Sequence, residues 1–371
     1  MGSASKINEE VFFALLRAGL WEQSIRLLPY GKIDFAEVFR LSSEQSVVGL
    51  VAVGLKHAED AEVPKMDKFQ LIGETMQLEQ QNRSMNAFIA ELIQKMREAG
   101  IYTVLVKGQG VAQCYEHPLW RACGDVDLFF DAENYEKAKL FLASLASSVE
   151  KEEMRKKHLA MTIDSWVVEL HGLMPTEISK RIDNGVVLVQ KDIFDNGGVR
   201  LWQNNGVDVF LPNPDNDAII IFTHYLQHFF CGGVGLRQIS DWCRLLWIYR
   251  NSLDANLLKY RLSNMGIESE WKAFAAFAVD YLGMPAEAMP LYDTGRKWSH
   301  KARRICRVVL DAGNFGHNKD NSYRSKYPLL VEKTITFFRR LGEYMRLCTI
   351  FPCDAPKFFV TYVCRRVKAT I

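Results

Sequence analysis

The sequence predicts an α+β protein in which a small mixed β-sheet core, residues 99–212, lies between a helical N-terminal section, 1–98, and a helical C-terminal domain, 213–371. Three observations carry this expectation. Apolar residues recur at helical spacing up to Glu98. They then give way to short β-branched runs with period-two alternation, and the helical spacing returns after the Pro212 and Pro214 breakers.

Taken in order, "EEVFFALLRAGL" and "SSEQSVVGLVAVGLKHA" open the chain as helices between Glu9 and Ala58. A long helix follows in "DKFQLIGETMQLEQQNRSMNAFIAELIQKMREAG", free of proline and stopped by Gly100. "IYTVLVKG" and "DVDLFFD" read as strands, separated by a short helical "GVAQCYE" and the turn-rich "EHPLWRACG". "AENYEKAKLFLASLAS" has the spacing of a surface helix. "LAMTI" and "SWVVELHG" are two further strands around an Asp164-Ser165 turn, and "VRLWQNNGVDVFLPNP" is strand, Asn-Gly connection and strand. Beyond Pro214 six helices are expected, from "DNDAIIIFTHYLQHFF" to "APKFFVTYVCRRVKATI".

Composition narrows the function classes. The 371 residues are 48% hydrophobic, enough for a large core. Forty-six basic against 44 acidic residues leave a net charge of +2, which gives no general electrostatic reason to bind nucleic acid or an anionic membrane. The eight cysteines are scattered with no CxxC pair and read as reduced thiols. The start has acidic residues where a signal peptide carries basic ones, Lys6 departs from the N-myristoylation pattern, and no apolar run is long enough to span a membrane. A cytoplasmic protein is expected.

The chemistry concentrates between Lys107 and Phe130. Residues two apart on a strand share a face, so Asp125 and Asp127 project together while Val126 and Leu128 pack behind them. A buried unpaired carboxylate costs several kcal/mol, roughly, so two on one face imply a compensating cation or a wet cleft. The pair suits Mg²⁺, which one or two carboxylates hold together with phosphate oxygens and water. In "SWVVELHG", Glu169 shares a face with Val167 and His171. If that strand lies beside the first, Glu169 either completes the metal site or accepts a proton from an attacking hydroxyl. Upstream, "KGQG" leaves a strand and opens a helix, exposing backbone N–H groups to phosphate, with Lys107 and Arg121 adding positive charge. The GxxxxGK[ST] pattern of a P-loop is absent.

These residues carry a resemblance. "VLVKGQGVAQCYEHPLWRACGDVDLFF", then "VVELH", then "GLRQISDWCRLL", resembles the uncharacterised bacterial nucleotidyltransferase family related to the polymerase-β-type nucleotidyltransferase superfamily. The resemblance implies a nucleotidyltransferase-like core, with Asp125 and Asp127 binding the catalytic Mg²⁺ (Mn²⁺ being the alternative ion), Glu169 as third carboxylate and Gly108 at the nucleotide-phosphate turn. Lys107, Gln109, Arg121, Gly124 and Arg237 complete the nucleotide-binding set. This chain departs from the wider superfamily in having "KGQG" where Gly-Ser or Gly-Gly is usual, and a longer connection to the first aspartate.

Other constellations have plainer readings. His224 and His228 share a helix face at zinc-like spacing, but Glu is missing from an HExxH form, and a polar stripe facing the cleft is preferred. "CGGVGLRQISD" follows a helix and reads as an interhelical turn, with Arg237 and Asp241 spaced for an ion pair. "HKARRICR" reads as a solvated helix face, and "KFFVTYVCRRVKATI" as a terminal helix docking its aromatic side on the bundle. The expected activity is Mg²⁺-dependent transfer of a nucleoside monophosphate from an NTP to an unidentified acceptor hydroxyl, a small molecule, protein or RNA end. The alternatives are a catalytically inactive nucleotide-binding or protein-interaction module and, more weakly, a metal-dependent phosphohydrolase.

Overall fold

The computed structural model describes residues 3–316, 318, 326 and 328–368. The opening helices are α1 (Ser3–Trp21), α2 (Phe35–Glu44), α3 (Val48–Lys56) and α4 (Lys65–Glu98). Asp34 starts α2 by accepting the Glu37 backbone N–H, which satisfies one of the orphan donors of the first turn. Helices α1 and α3 cross with their backbones in contact: a Cβ added at Gly54 would sit 2.0 Å from the Leu15 carbonyl oxygen. Only glycine permits that approach.

The sheet follows. Its elements are β1 (Val104–Val106), α5 (Gly108–Ala112), β2 (Asp125–Phe129), α6 (Ala132–Ala143), β3 (Ser148–Val149), β4 (His158–Ile163) and β5 (Trp166–His171). The strand order is β1-β2-β5-β4-β3, with β2 and β5 parallel and the other neighbours antiparallel. Val126, Leu128, Val168 and Leu170 turn to the buried face and pack with Met85, Ile89 and Ile93 of α4 and with Tyr135, Ala138 and Leu142 of α6. The opposite face carries the polar residues. Two elements here were not expected, the two-residue strand β3 and helix α7 (Lys180–Asp195). The run "NGVVLV" inside α7 has Gly and β-branched residues that weaken a helical reading. Gly185 is there because α7 lies hard against a later helix: a Cβ on it would meet Met265 at 2.4 Å. Strands β6 (Val199–Asn204) and β7 (Val207–Pro212) form a separate hairpin through Asn205 and Gly206, both at positive φ.

The chain then runs through α8 (Pro214–Cys231), α9 (Leu236–Ile248), α10 (Ala255–Met265), α11 (Glu268–Asp280), α12 (Arg296–Ala312), α13 (Leu329–Cys348) and α14 (Asp354–Lys368). The six expected helices are among them, and α10 is additional. Their apolar faces meet around Trp242, Trp271, Phe222 and Phe274. The N-terminal helices share this core: Trp21 packs edge-on to Trp247, Phe13 to Tyr281, and the buried Gln45 side chain accepts from the Leu236 N–H and donates to the Val309 carbonyl. Phe358 of α14 packs on Phe230 with ring centres 4.7 Å apart, so the terminal helix docks by its aromatic side. The side chains after Thr361 in that run, and Met1 and Gly2 at the start, lie outside the described residues. No helix among the described residues is long and apolar enough to cross a membrane.

Glu270 of α11 is fully buried in this bundle. Burial first, and the neighbouring Asp354 carboxylate second, push its carboxyl from the usual 4.5 up to about 8. A raised carboxyl favours the protonated folded state, so the stability it contributes is complete below pH 4.5 and is lost as pH rises towards 8. The native protein is therefore expected to lose on the order of a few kcal/mol across that window, and Glu270→Gln to flatten the loss. Urea midpoints measured near the two ends of the window check it, and an equal fall in native and variant refutes the assignment.

Candidate active site

The parallel pairing of β2 with β5 sets Asp125 opposite Val167 and Asp127 opposite Glu169. Because partners across a ladder point the same way, the three carboxylates stand on one face. Antiparallel pairing of β4 with β5 adds His158, opposite His171, to the same face. Asp127 is almost fully buried and takes two donors at one oxygen: Lys107 Nζ lies 2.7 Å from Oδ1 and His171 Nε2 lies 2.8 Å from it. Glu169 Oε2 lies 3.2 Å from His158 Nε2 and 3.5 Å from His171 Nε2.

Lys107 reaches Asp127 from an unusual backbone. It lies between β1 and α5 with φ 56° and ψ −145°, a region that costs a non-glycine residue roughly 1–3 kcal/mol, and Gly108 after it is also at positive φ. The charges follow from this geometry. Burial pushes the Asp127 carboxyl up, but the Lys107 ammonium and the His171 hydrogen bond outweigh it and hold that carboxyl well below the usual range. Asp125 goes the other way. The like charge of Asp127, with burial second, raises its carboxyl, and among the described residues no side chain donates to it. The His158 hydrogen bond holds Glu169 low and raises His158 in turn. Burial lowers His171.

Helices α8 and α9 form the opposite wall, and the space between encloses a cavity of about 450 Å³ lined by the residues above with Glu153, Lys156, His224, Gln227, His228, Arg237 and Gln238. One buried cluster ties α9 to the core. Arg121 donates twice to Asp241, at 3.1 and 2.6 Å, and the Tyr115 hydroxyl donates to the same carboxylate at 2.8 Å. Arg237 donates to the Ala122 carbonyl at 2.8 Å, three residues before Asp125. His224 and His228 lie with ring centres 4.6 Å apart, and burial lowers both, His228 to about 4. Among the described residues they join no three-ligand group.

The residues named from sequence divide accordingly. Asp125, Asp127, Glu169, Lys107, Gly108, Arg121 and Arg237 all line the cavity. Arg121 does so with its guanidinium engaged by Asp241, so its charge holds the wall together. Gln109 turns away: one residue along a helix rotates the side chain by about 100°, and its amide donates to Asn82 of α4 at 2.6 Å. Gly124 is exposed at the entrance and outside the lining. Helix α5 is only five residues long, so positive charge for phosphate comes from side chains more than from its dipole. Sequence reasoning missed His158, Glu153 and Lys156. His158 was visible as the first residue of the β4 run, but its face depends on a strand pairing that no local pattern fixes.

A divalent cation fits this donor set. Asp125 and Asp127 are adjacent hard oxygen ligands of like charge, no side chain among the described residues donates to Asp125, and Glu169 faces them across the ladder.

A family model described as an uncharacterised nucleotidyltransferase matches residues 31–283, more than half of the chain. No curated protein sequence matches significantly. Among solved structures, the crystal structure of an antigenic nucleotidyltransferase-like protein from Paracoccidioides brasiliensis is similar at 17% identity, over 54% of this chain and 92% of that one, with a TM-score of 0.32.

Proposed function

Since this chain belongs to the uncharacterised nucleotidyltransferase family, we propose that it moves a nucleoside monophosphate from an NTP to an acceptor hydroxyl and releases pyrophosphate. The observation that carries the reading is the convergence of Asp125, Asp127 and Glu169 on one sheet face, inside a cavity roofed by α8 and α9. Asp125, Asp127 and Glu169 would hold the cation, which supplies neutralisation of the triphosphate and of charge developing on the leaving pyrophosphate. In the transfer, the acceptor hydroxyl oxygen bonds to the α-phosphorus as the bond to the bridging oxygen breaks; pyrophosphate leaves with that electron pair, and the hydroxyl proton passes to His171 or to water.

The residues of the chain divide the remaining work. Lys107 and Arg237 both line the cavity and offer positive charge beside the carboxylates. Glu169, kept ionised by its hydrogen bond to His158, is a better cation ligand than proton acceptor. His171, lowered by burial and therefore neutral, is the group beside it that can take up a proton, as a weakened base. Helices α8 and α9 give the acceptor side of the cleft, and the boundaries near residues 98 and 212 follow as part of the same proposal.

A second reading has its own observation. The Lys107 ammonium rests on Asp127, where it already supplies one positive charge, and this favours a module that binds nucleotide without turning it over. Calorimetric titration of the full chain with ATP, CTP, GTP and UTP, with and without Mg²⁺, separates the two when followed by product analysis. Mg²⁺-dependent binding with pyrophosphate release is expected. Binding without product favours the module, inorganic phosphate as product favours hydrolysis, and no binding of any NTP overturns the nucleotide reading altogether.

A further inference from the structure

We propose that His158, Glu169 and His171 form a site for a divalent transition-metal ion, with a ligand set distinct from the Asp125–Asp127 pair. The strands place these three side chains together without help from loops. His158 and His171 are direct partners across the β4–β5 ladder, and Glu169 stands two residues before His171 on the same face. One ligand atom from each lies within 4.8 Å of the others. Glu169 Oε2 is 3.2 Å from His158 Nε2 and 3.5 Å from His171 Nε2. In a tetrahedral site with bonds of ~2.0–2.1 Å the ligand atoms stand ~3.3–3.4 Å apart, so these edges already suit one shared ion.

Donor chemistry decides the class of ion. Two imidazoles and one carboxylate suit Zn²⁺, Mn²⁺ or Co²⁺, whereas Mg²⁺ is held almost entirely by oxygen. Three carboxylates, Asp125, Asp127 and Glu169, face the cavity together, with the Lys107 ammonium on Asp127 and His158 on Glu169, so a cation seated there adds to the compensation of acidic charge. Lys156, at the same rim, is paired with Glu153 and Glu177. Three protein ligands opening on a cavity leave a coordination position free, the arrangement of reactive sites, in contrast to closed structural ones. Binding there draws His171 Nε2 from its contact with Asp127 Oδ1, which keeps Lys107 as partner. Glu169 belongs both to this set and to the carboxylates proposed to hold the nucleotide's cation, but the inference needs no nucleotide and is read in its absence.

The test is pulsed electron paramagnetic resonance of Mn²⁺ bound to the full chain without NTP, with Co²⁺ absorption as a second probe. We expect saturable binding with ¹⁴N couplings from two imidazoles, one coupling lost and affinity reduced about tenfold or more in His158→Gln, and both couplings retained in Asp125→Asn. Mn²⁺ bound with no nitrogen coupling, no saturable binding of either ion, or couplings unchanged in His158→Gln would each overturn the proposal. The nitrogen count in the native protein decides by itself if the variant fails to fold. NTP titrations of the same samples report separately on the nucleotide reading, so either can fail alone.

Discussion

Asp125→Asn is expected to abolish Mg²⁺-dependent nucleotide binding and transfer while leaving the folded protein at least as stable as the native one. The two effects come from one cause. Asp125 stands beside the like charge of Asp127, burial adds to the penalty, and among the described residues no side chain donates a hydrogen bond to repay it. Its carboxyl is raised, so ionisation at neutral pH works against the fold, and an isosteric amide removes that cost. For catalysis the sign reverses. A carboxylate that helps hold a metal ion in phosphoryl transfer contributes several kcal/mol of charge stabilisation, so its loss is expected to lower kcat/KM by about 10³-fold or more. Thermal melts and turnover on one preparation check both halves. A variant that melts well below the native protein, or that retains turnover, sinks the assignment of Asp125 as a cation ligand. Asp127→Asn is the informative contrast, because it strands the Lys107 ammonium and is expected to destabilise.

The largest loss of stability is expected from Asp241→Ala. Arg121 and Asp241 are both buried, the pair is bidentate, and Tyr115 completes the carboxylate's hydrogen bonds. Removing the acid leaves a guanidinium uncompensated in the interior, which costs roughly 3–5 kcal/mol. Replacing both partners by apolar residues of similar volume, Arg121→Met with Asp241→Leu, is expected to recover most of that stability, because a buried ion pair gains little over good packing. Nucleotide binding is not expected to return with it. The pair positions α9, and with it Arg237 in the cavity lining, so the double variant keeps the fold while loosening one wall of the cavity. Urea unfolding of the single and double variants tests this; a single variant within about 1 kcal/mol of native would show that water reaches the pair.

The legible parts were those encoded by short-range periodicity. The strand bearing Asp125 and Asp127, the alternation that turns Glu169 and His171 to one side, the break at Pro212 and Pro214 and most helices all express a repeat of two or of 3.6 residues. What the sequence hid depends on pairing between distant segments. His158 joins Glu169 only because β4 and β5 are in one register and not its neighbour. Arg121 reads as a free cation near a phosphate turn until Asp241, far along the chain, arrives beneath it. Asp241 in turn has the spacing to pair with Arg237, but its hydrogen bonds go to Arg121 and Tyr115. Helix α7 was obscured by Gly185, whose role is the closeness of Met265 on α10.

The core that α1–α3 share with the later helices bears on how the chain is made. Phe13, Trp21 and Gln45 reach partners in and beside α9, α11 and α12, so α1–α3, although they pack on one another, leave part of their apolar surface uncovered until those later helices are made. About 160 residues separate the end of α3 from the start of α8, a delay on the order of 10–30 s at ~5–20 residues per second. Throughout that interval the apolar faces of α1–α3 that belong to the shared core wait for their partners. Transiently exposed apolar surface of that kind is aggregation-prone, so truncation before α8 is expected to leave α1–α3 with an uncovered apolar face.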